Sequence, residues 1–252
     1  MVIKITEKCS MNCSHCMNNA LPSGKHMSFD TFKEVIAFQQ QYGTMFCILS
    51  GGEPTEHPEF ENFLIYAIDT LPYCIVTVTT NGVWMQDNYD FVKHVWEKYD
   101  KHVMFQVTSV PEYYPELIDT TLPVFKLPNV IVCDKIEAMY PQGRALTNNL
   151  PWKSNGSKCV NIRLMAHQVG FRGLRGMLNV MAAHGFFCTP HITISGDIKL
   201  GESDLCPAAS NIHKEEHEII DDILNFRCHQ CDFINKKLAP QVQAILGEQY
   251  EV

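Results

Sequence analysis

Five short apolar runs recur along the first 133 residues, each closed by small or polar residues and the first four each followed by a helical pattern. The runs are Val2 to Thr6, Met45 to Leu49, Cys74 to Thr79, Val103 to Thr108 and Asn129 to Cys133. Strands that alternate with helices read as βα units, whose crossovers bring the strands together as a parallel sheet. The helical patterns span Ser28 to Tyr42, Pro58 to Leu71, Asp87 to Tyr99 and Tyr114 to Leu122. In the first, Ser28 is a natural N-cap and Phe29, Phe32, Val35 and Ile36 share one face. Beyond Cys133 the register weakens: residues 140–145 read as a loop, Val160 to Met165 as a sixth strand, and Val169 to His184 as a helix. The expected class is α/β, an open six-strand βα barrel, with its chemistry at the C-terminal ends of the strands.

Cysteine placement narrows the chemistry. Cys9, Cys13 and Cys16 follow the first strand at C-x3-C-x2-C spacing, and the next cysteine is Cys47. Three thiolates on one tight loop can hold three corners of a cubane 4Fe-4S cluster, leaving the fourth iron open to another ligand. The alternative is zinc, with His15 or His26 as fourth ligand. Nothing at the N-terminus resembles a secretory signal, so eleven cysteines read as ligands rather than disulfides. Cys188, Cys206, Cys228 and Cys231 form a second group at C-x17-C-x21-C-x2-C spacing, which suits a cluster or a structural zinc equally. Cys47, Cys74 and Cys133 sit in apolar runs and read as buried thiols, while Cys159 is ambiguous.

The loop, taken with Ser50-Gly51-Gly52-Glu53-Pro54-Thr55 after the second strand, resembles the radical S-adenosylmethionine (SAM) superfamily. The resemblance implies that the open iron chelates SAM and that the reduced cluster releases a 5'-deoxyadenosyl radical, which abstracts hydrogen from a substrate. It further implies SAM contacts from Ser50, Gly51, Gly52 and Glu53, from Thr80 and Asn81 after the third strand, from Ser109 after the fourth, and from Arg144. His15 stands where the family has an aromatic residue beside the adenine. The second cysteine group, with a hairpin at Thr193 to Leu200 turning at Gly196-Asp197, resembles the twitch subdomain, a shortened SPASM domain holding an auxiliary 4Fe-4S cluster. The expected division is a barrel over 1–185 and this Cys-rich α+β subdomain over 186–252.

By this resemblance the chain is an enzyme that performs a net two-electron oxidation or modification of a small molecule, the auxiliary cluster accepting an electron. The first strand begins just before Cys9, which leaves no room for an N-terminal peptide-recognition domain and suits the short dehydrogenase type. A peptide-modifying maturase, a glycyl-radical activase and a non-enzymatic zinc module are the alternatives. An electron donor such as flavodoxin or ferredoxin is the implied partner. A net charge of -8 argues against nucleic acid, which needs a basic face. No apolar run nears the roughly 20 residues that span a bilayer, and a cytoplasmic location is expected. His213-Lys214-Glu215-Glu216-His217 matches an inverted zincin pattern but lies in an acidic stretch that reads as a solvated helix face. Hydrophobic residues make up 46% of the chain, ample for a core.

Overall fold

A computed structural model describes residues 1–136, 139, 142–151, 170–183, 190–201 and 206–226. Its strands form one sheet in the order β5-β4-β3-β2-β1-β6-β7-β8. They are β1 Val2–Thr6, β2 Phe46–Gly51, β3 Ile75–Thr80, β4 Val103–Thr108, β5 Val130–Cys133, β6 His191–Ile192, β7 Asp197–Lys199 and β8 Ala208–Asn211. Pairings from β5 through to β6 are parallel, and β7 and β8 add on antiparallel. The fold is α/β with a mostly parallel sheet, as the strand–helix alternation requires.

The helices are α1 Phe29–Tyr42, α2 Phe60–Thr70, α3 Val83–Asp87, α4 Tyr89–Tyr99, α5 Gly143–Thr147, α6 Gly173–Ala183 and α7 Glu216–Asn225. Residues that alternate along the strands, among them Ile3, Leu49, Val76, Val78, Phe105 and Val107, are fully buried in the same core as Phe32, Val35 and Ile36 of α1 and Phe63 and Leu64 of α2. The Phe32 and Phe63 rings stack at 4.2 Å. Ser28 caps α1, its side chain accepting from the Thr31 amide at 3.1 Å. These are the local rules the chain obeys without tertiary help.

Three expectations are corrected. Residues 114–122 form turns rather than a helix: the Asp119 carboxylate accepts from the Thr121 amide and hydroxyl at 3.0 and 2.6 Å, and the Asp119 amide donates to the Gln86 side chain at 2.9 Å. Such bonds compete with the helical ladder, and Pro123 holds Leu122 at ψ 146. Residues 143–145, expected within a loop, instead open α5. The pattern from Asp87 to Tyr99 divides at Asn88, whose side chain donates to Trp84 O at 2.7 Å. The second helical pattern, Pro58 to Leu71, forms α2 as expected, with a 3-10 turn at Pro54–Glu56 ahead of it.

The hairpin is present as β6 and β7, with Gly196 at φ +80 in its turn, but β6 hydrogen-bonds to β1 and so continues the barrel sheet. The division at residue 185 lies outside the described residues, as do the strand expected at 160–165 and Cys159, Cys188, Cys228 and Cys231. No helix among the described residues is long and apolar enough to cross a membrane.

Candidate functional site

The loop between β1 and α1 carries Cys9, Cys13 and Cys16, all free thiols, the first two buried. Asn12 and Asn19 turn it at φ 54 and φ 50, a conformation that asparagine tolerates better than most residues. Segments distant in sequence then hold it in place. From the β2 end, the Gly52 amide donates to Thr6 O at 2.8 Å and the Glu53 amide to Lys8 O at 2.7 Å. The Glu56 carboxylate accepts from the Ser10 amide and hydroxyl at 2.7 and 2.9 Å. From the far side, the Ser14 amide donates to Tyr113 O at 3.1 Å.

α5 supplies the densest set of anchors. The Arg144 amide donates to Cys16 O at 2.8 Å, its Nε to Cys13 O at 2.8 Å and its Nη1 to Ala20 O at 2.9 Å. The Asn148 side chain donates to Ser14 O at 2.8 Å. Gly143, at φ +52, lies so close that a Cβ would fall 2.4 Å from Cys16 O, which only glycine permits. Arg144 is therefore a brace on the loop's carbonyls, and its third nitrogen, Nη2, is buried without a hydrogen-bond partner.

The Gly-Gly-Glu stretch packs against protein backbone. A Cβ on Gly51 would meet Thr6 O at 2.2 Å, and one on Gly52 would meet Lys8 O at 2.2 Å. The glycines thus let the β2 end lie directly on the entry to the cysteine loop. Glu53 is buried, and its carboxylate is fully engaged. Oε1 accepts from the Thr80 hydroxyl at 2.7 Å, the Thr55 hydroxyl at 2.7 Å and the Thr55 amide at 3.2 Å, while Oε2 accepts from the Asn81 amide at 2.7 Å. Burial pushes its pKa up and these donors pull it back. The Asn81 side chain also accepts from the Val83 amide at 2.9 Å, across the turn that leads into α3. Ser50 lies on β2 in register with Lys4, and buried Ser109 donates its amide to Cys133 O at 3.1 Å.

His15 lies between the rings of Tyr113 and Tyr114, 5.2 Å from each. Burial, and then the Arg144 cation, hold it down to about 4, so it is neutral at physiological pH, and its Nδ1 is buried without a partner. Burial pushes Cys9 up to about 11 and Cys13 up to about 12, with Arg144 acting against it at Cys13. Such thiols stay protonated until a metal displaces the proton. Among the described residues no three His, Cys, Asp or Glu side chains converge to hold a single ion. A cubane does not ask for that convergence, because each thiolate takes its own iron. Three protected thiols, a buried unspent guanidinium N–H and an unpartnered imidazole nitrogen fit a negatively charged cluster with a polar ligand beside it.

The structure brings Cys9, Cys13, Cys16, His15, Gly51, Gly52, Glu53, Thr80, Asn81 and Arg144 into one connected network. The zincin pattern does not assemble: Glu216 accepts from the Leu174 amide at 2.8 Å, and His213 lies 3.8 Å from Glu34. Sequence reasoning missed Glu56, Asn148, Tyr113 and Tyr114. Only Glu56 carried a signal, as the acid three residues after Glu53. Of the second cysteine group, Cys206 is described, buried just ahead of β8.

Comparison with known proteins agrees with this geometry. Residues 3–124 match the radical SAM superfamily model. A probable GTP 3',8-cyclase of Methanosarcina mazei is 30% identical over 90 residues, which cover 33% of this chain and only 26% of that protein. Among solved structures, BtrN in complex with AdoMet and 2-DOIA superposes with a TM-score of 0.59 at 14% identity, over 89% of this chain and 81% of BtrN. SuiB of Streptococcus suis bound to precursor peptide SuiA gives 0.55 at 13%, over 92% and 67%. anSMEcpe with bound AdoMet and Cp18Cys peptide gives 0.51 at 12%, over 93% and 82%. The structural likenesses show a shared fold, and the radical SAM superfamily pattern is matched over residues 3–124, just under half of the chain.

Proposed function

We propose that Cys9, Cys13 and Cys16 ligate the catalytic 4Fe-4S cluster and that the net reaction is a two-electron oxidation or modification of a small molecule. The observation that carries this reading is the loop itself, three free thiols braced from β2, from Tyr113 and from α5. When bound and reduced, the cluster with SAM supplies a 5'-deoxyadenosyl radical that takes hydrogen from a substrate carbon.

The protein's own residues prepare that event. Arg144 favours the thiolate at Cys13, and its spare Nη2 suits the SAM carboxylate. His15, held neutral between two tyrosines, offers a flat face to the adenine. Gly51 and Gly52 carry backbone groups for the aminoacyl end, while Glu53 acts by fixing Thr80 and Asn81, its carboxylate being spent on them. Ser50 and Ser109 flank this row. In the tail, Cys206 with Cys188, Cys228 and Cys231 would hold a second 4Fe-4S cluster, which would supply an acceptor for the electron left on the substrate. Flavodoxin or ferredoxin delivers the first one.

The likeness to BtrN, which extends over most of both chains, favours a small substrate. SuiB and anSMEcpe, both solved with peptides, favour a peptide as the second reading. Anaerobic reconstitution followed by iron, sulfide and zinc analysis is the test, with 5'-deoxyadenosine followed after dithionite and SAM. About eight irons per chain and deoxyadenosine that vanishes in Cys13→Ala are the expected results. About four irons with zinc in the tail would remove the electron-acceptor role. Zinc without deoxyadenosine would overturn the enzyme assignment.

A further inference from the structure

Tyr114 has so far served only to flank His15, yet its side chain packs against the buried group that holds Cys9 and Cys13. It follows the Pro111–Tyr113 turn, where its amide donates to Val110 O at 3.0 Å. Its ring packs on the buried group formed by Cys9, Met11, Cys13 and Ala20, alongside Cys16 and Val83. Its ring centroid lies 5.2 Å from that of His15, with the planes tilted at 37°. The groups whose charge its hydroxyl feels are Cys13, then Glu53, Cys9 and Cys16, with no cation among them. The hydroxyl has no protein acceptor among the described residues. A half-buried phenol ordinarily finds a partner. Of the groups whose charge it feels, the three thiols are the ones left to accept, since Glu53 is already satisfied by four donors.

We propose that the Tyr114 hydroxyl donates a hydrogen bond to sulfur of the cluster held by Cys9, Cys13 and Cys16 and thereby sets its reduction potential. The inference rests on the ligand assignment under Proposed function. A donor to cluster sulfur stabilises the more negative, reduced state, so its presence raises the potential. Burial pushes the phenol well above its usual pKa and keeps the proton on the oxygen. Tyr114 is thus a tuning residue that acts through the cluster rather than a catalytic one. Tyr113 supplies the internal control. Its ring centroid is also 5.2 Å from that of His15, but Tyr113 belongs to the buried group of Val110, Met139 and Ala145 rather than to that of Cys9 and Cys13.

The test is an EPR-monitored redox titration of reconstituted protein with matched iron and sulfide content, with and without SAM. Tyr114→Phe, which keeps the ring and removes the donor, should lower the midpoint potential in the absence of SAM, while Tyr113→Phe leaves it in place. 3,5-Difluorotyrosine at position 114, a stronger donor, should move the potential the other way, and it serves as the reporter should the phenylalanine variant load poorly. Unchanged potentials, equal shifts in the two phenylalanine variants, or a shift seen only with SAM bound would overturn the proposal, the last by assigning the hydroxyl to SAM. Native protein that binds no cluster or forms no deoxyadenosine sinks the ligand assignment instead, a separate result.

Discussion

Glu53 shows how one residue can belong to a cofactor motif and act mainly on protein. Its carboxylate ties the β2 end to the β3 end through Thr80 and Asn81, and its backbone amide holds Lys8 at the loop entry. Glu53→Gln replaces one acceptor oxygen with a donor facing other donors, which leaves a buried group unpaired at a cost of about 1–3 kcal/mol. Thermal unfolding should register this as a Tm lower by roughly 2–4 °C per kcal/mol. An unchanged Tm would mean the network does not contribute to stability. His15 makes a different prediction. If its ring faces adenine, His15→Leu removes stacking worth about 1–3 kcal/mol, weakening SAM binding on the order of tenfold or more. His15→Tyr keeps a ring and should bind nearly as well, and equilibrium dialysis with labelled SAM separates the two.

At the level of elements, α5 matters beyond its five residues. A helix this short has little stability of its own, and it exists because Arg144 and Asn148 spend their donors on the carbonyls of a loop far away in sequence. Arg144→Met should therefore free the loop as well as remove a charge. Reconstituted protein is expected to retain less iron than native, and amide exchange over residues 13–20 of the iron-free protein should quicken. Faster exchange with full iron content would confine Arg144 to bracing the loop; native-like exchange would deny the brace. The turns at 114–122 carry the complementary lesson. Local pattern suggested a helix there, but Asp119 found local partners and Gln86 took its amide, so the segment instead presents Tyr113 and Tyr114 to the loop.

For the whole molecule, buried histidines make stability depend on pH. Burial holds His57 below its usual pKa, helped by His26, and holds His191 far below it, helped by Lys4. Both folded values lie beneath the unfolded value of about 6.5. Below that pH the unfolded chain takes protons the folded chain refuses, so the histidine contribution is full above about 6.5 and is lost on acidification. Glu53, with its raised pKa, runs the other way and partly offsets the loss. Urea midpoints of iron-free protein should fall between pH 7.5 and 5.5, and fall more steeply in Glu53→Gln. A midpoint that rises on acidification would contradict the assignment of the two histidines as buried and neutral.

Much of this molecule was legible in neighbouring residues. β1 and β4 begin and end where the apolar runs do, Ser28 caps α1, and the spacing of Cys9, Cys13 and Cys16 marked the loop before any fold was known. Those features depend on side-chain periodicity and on contacts a few residues apart, which the order of residues encodes directly. The partner of Glu53, the docking of α5, the placing of Tyr114 on the thiols and the joining of β6 to β1 depended on the tertiary structure. Arg144 and Cys13 are separated by 131 positions, and a donor and an acceptor that distant leave no local pattern. Only a folded chain brings them within 2.8 Å of one another.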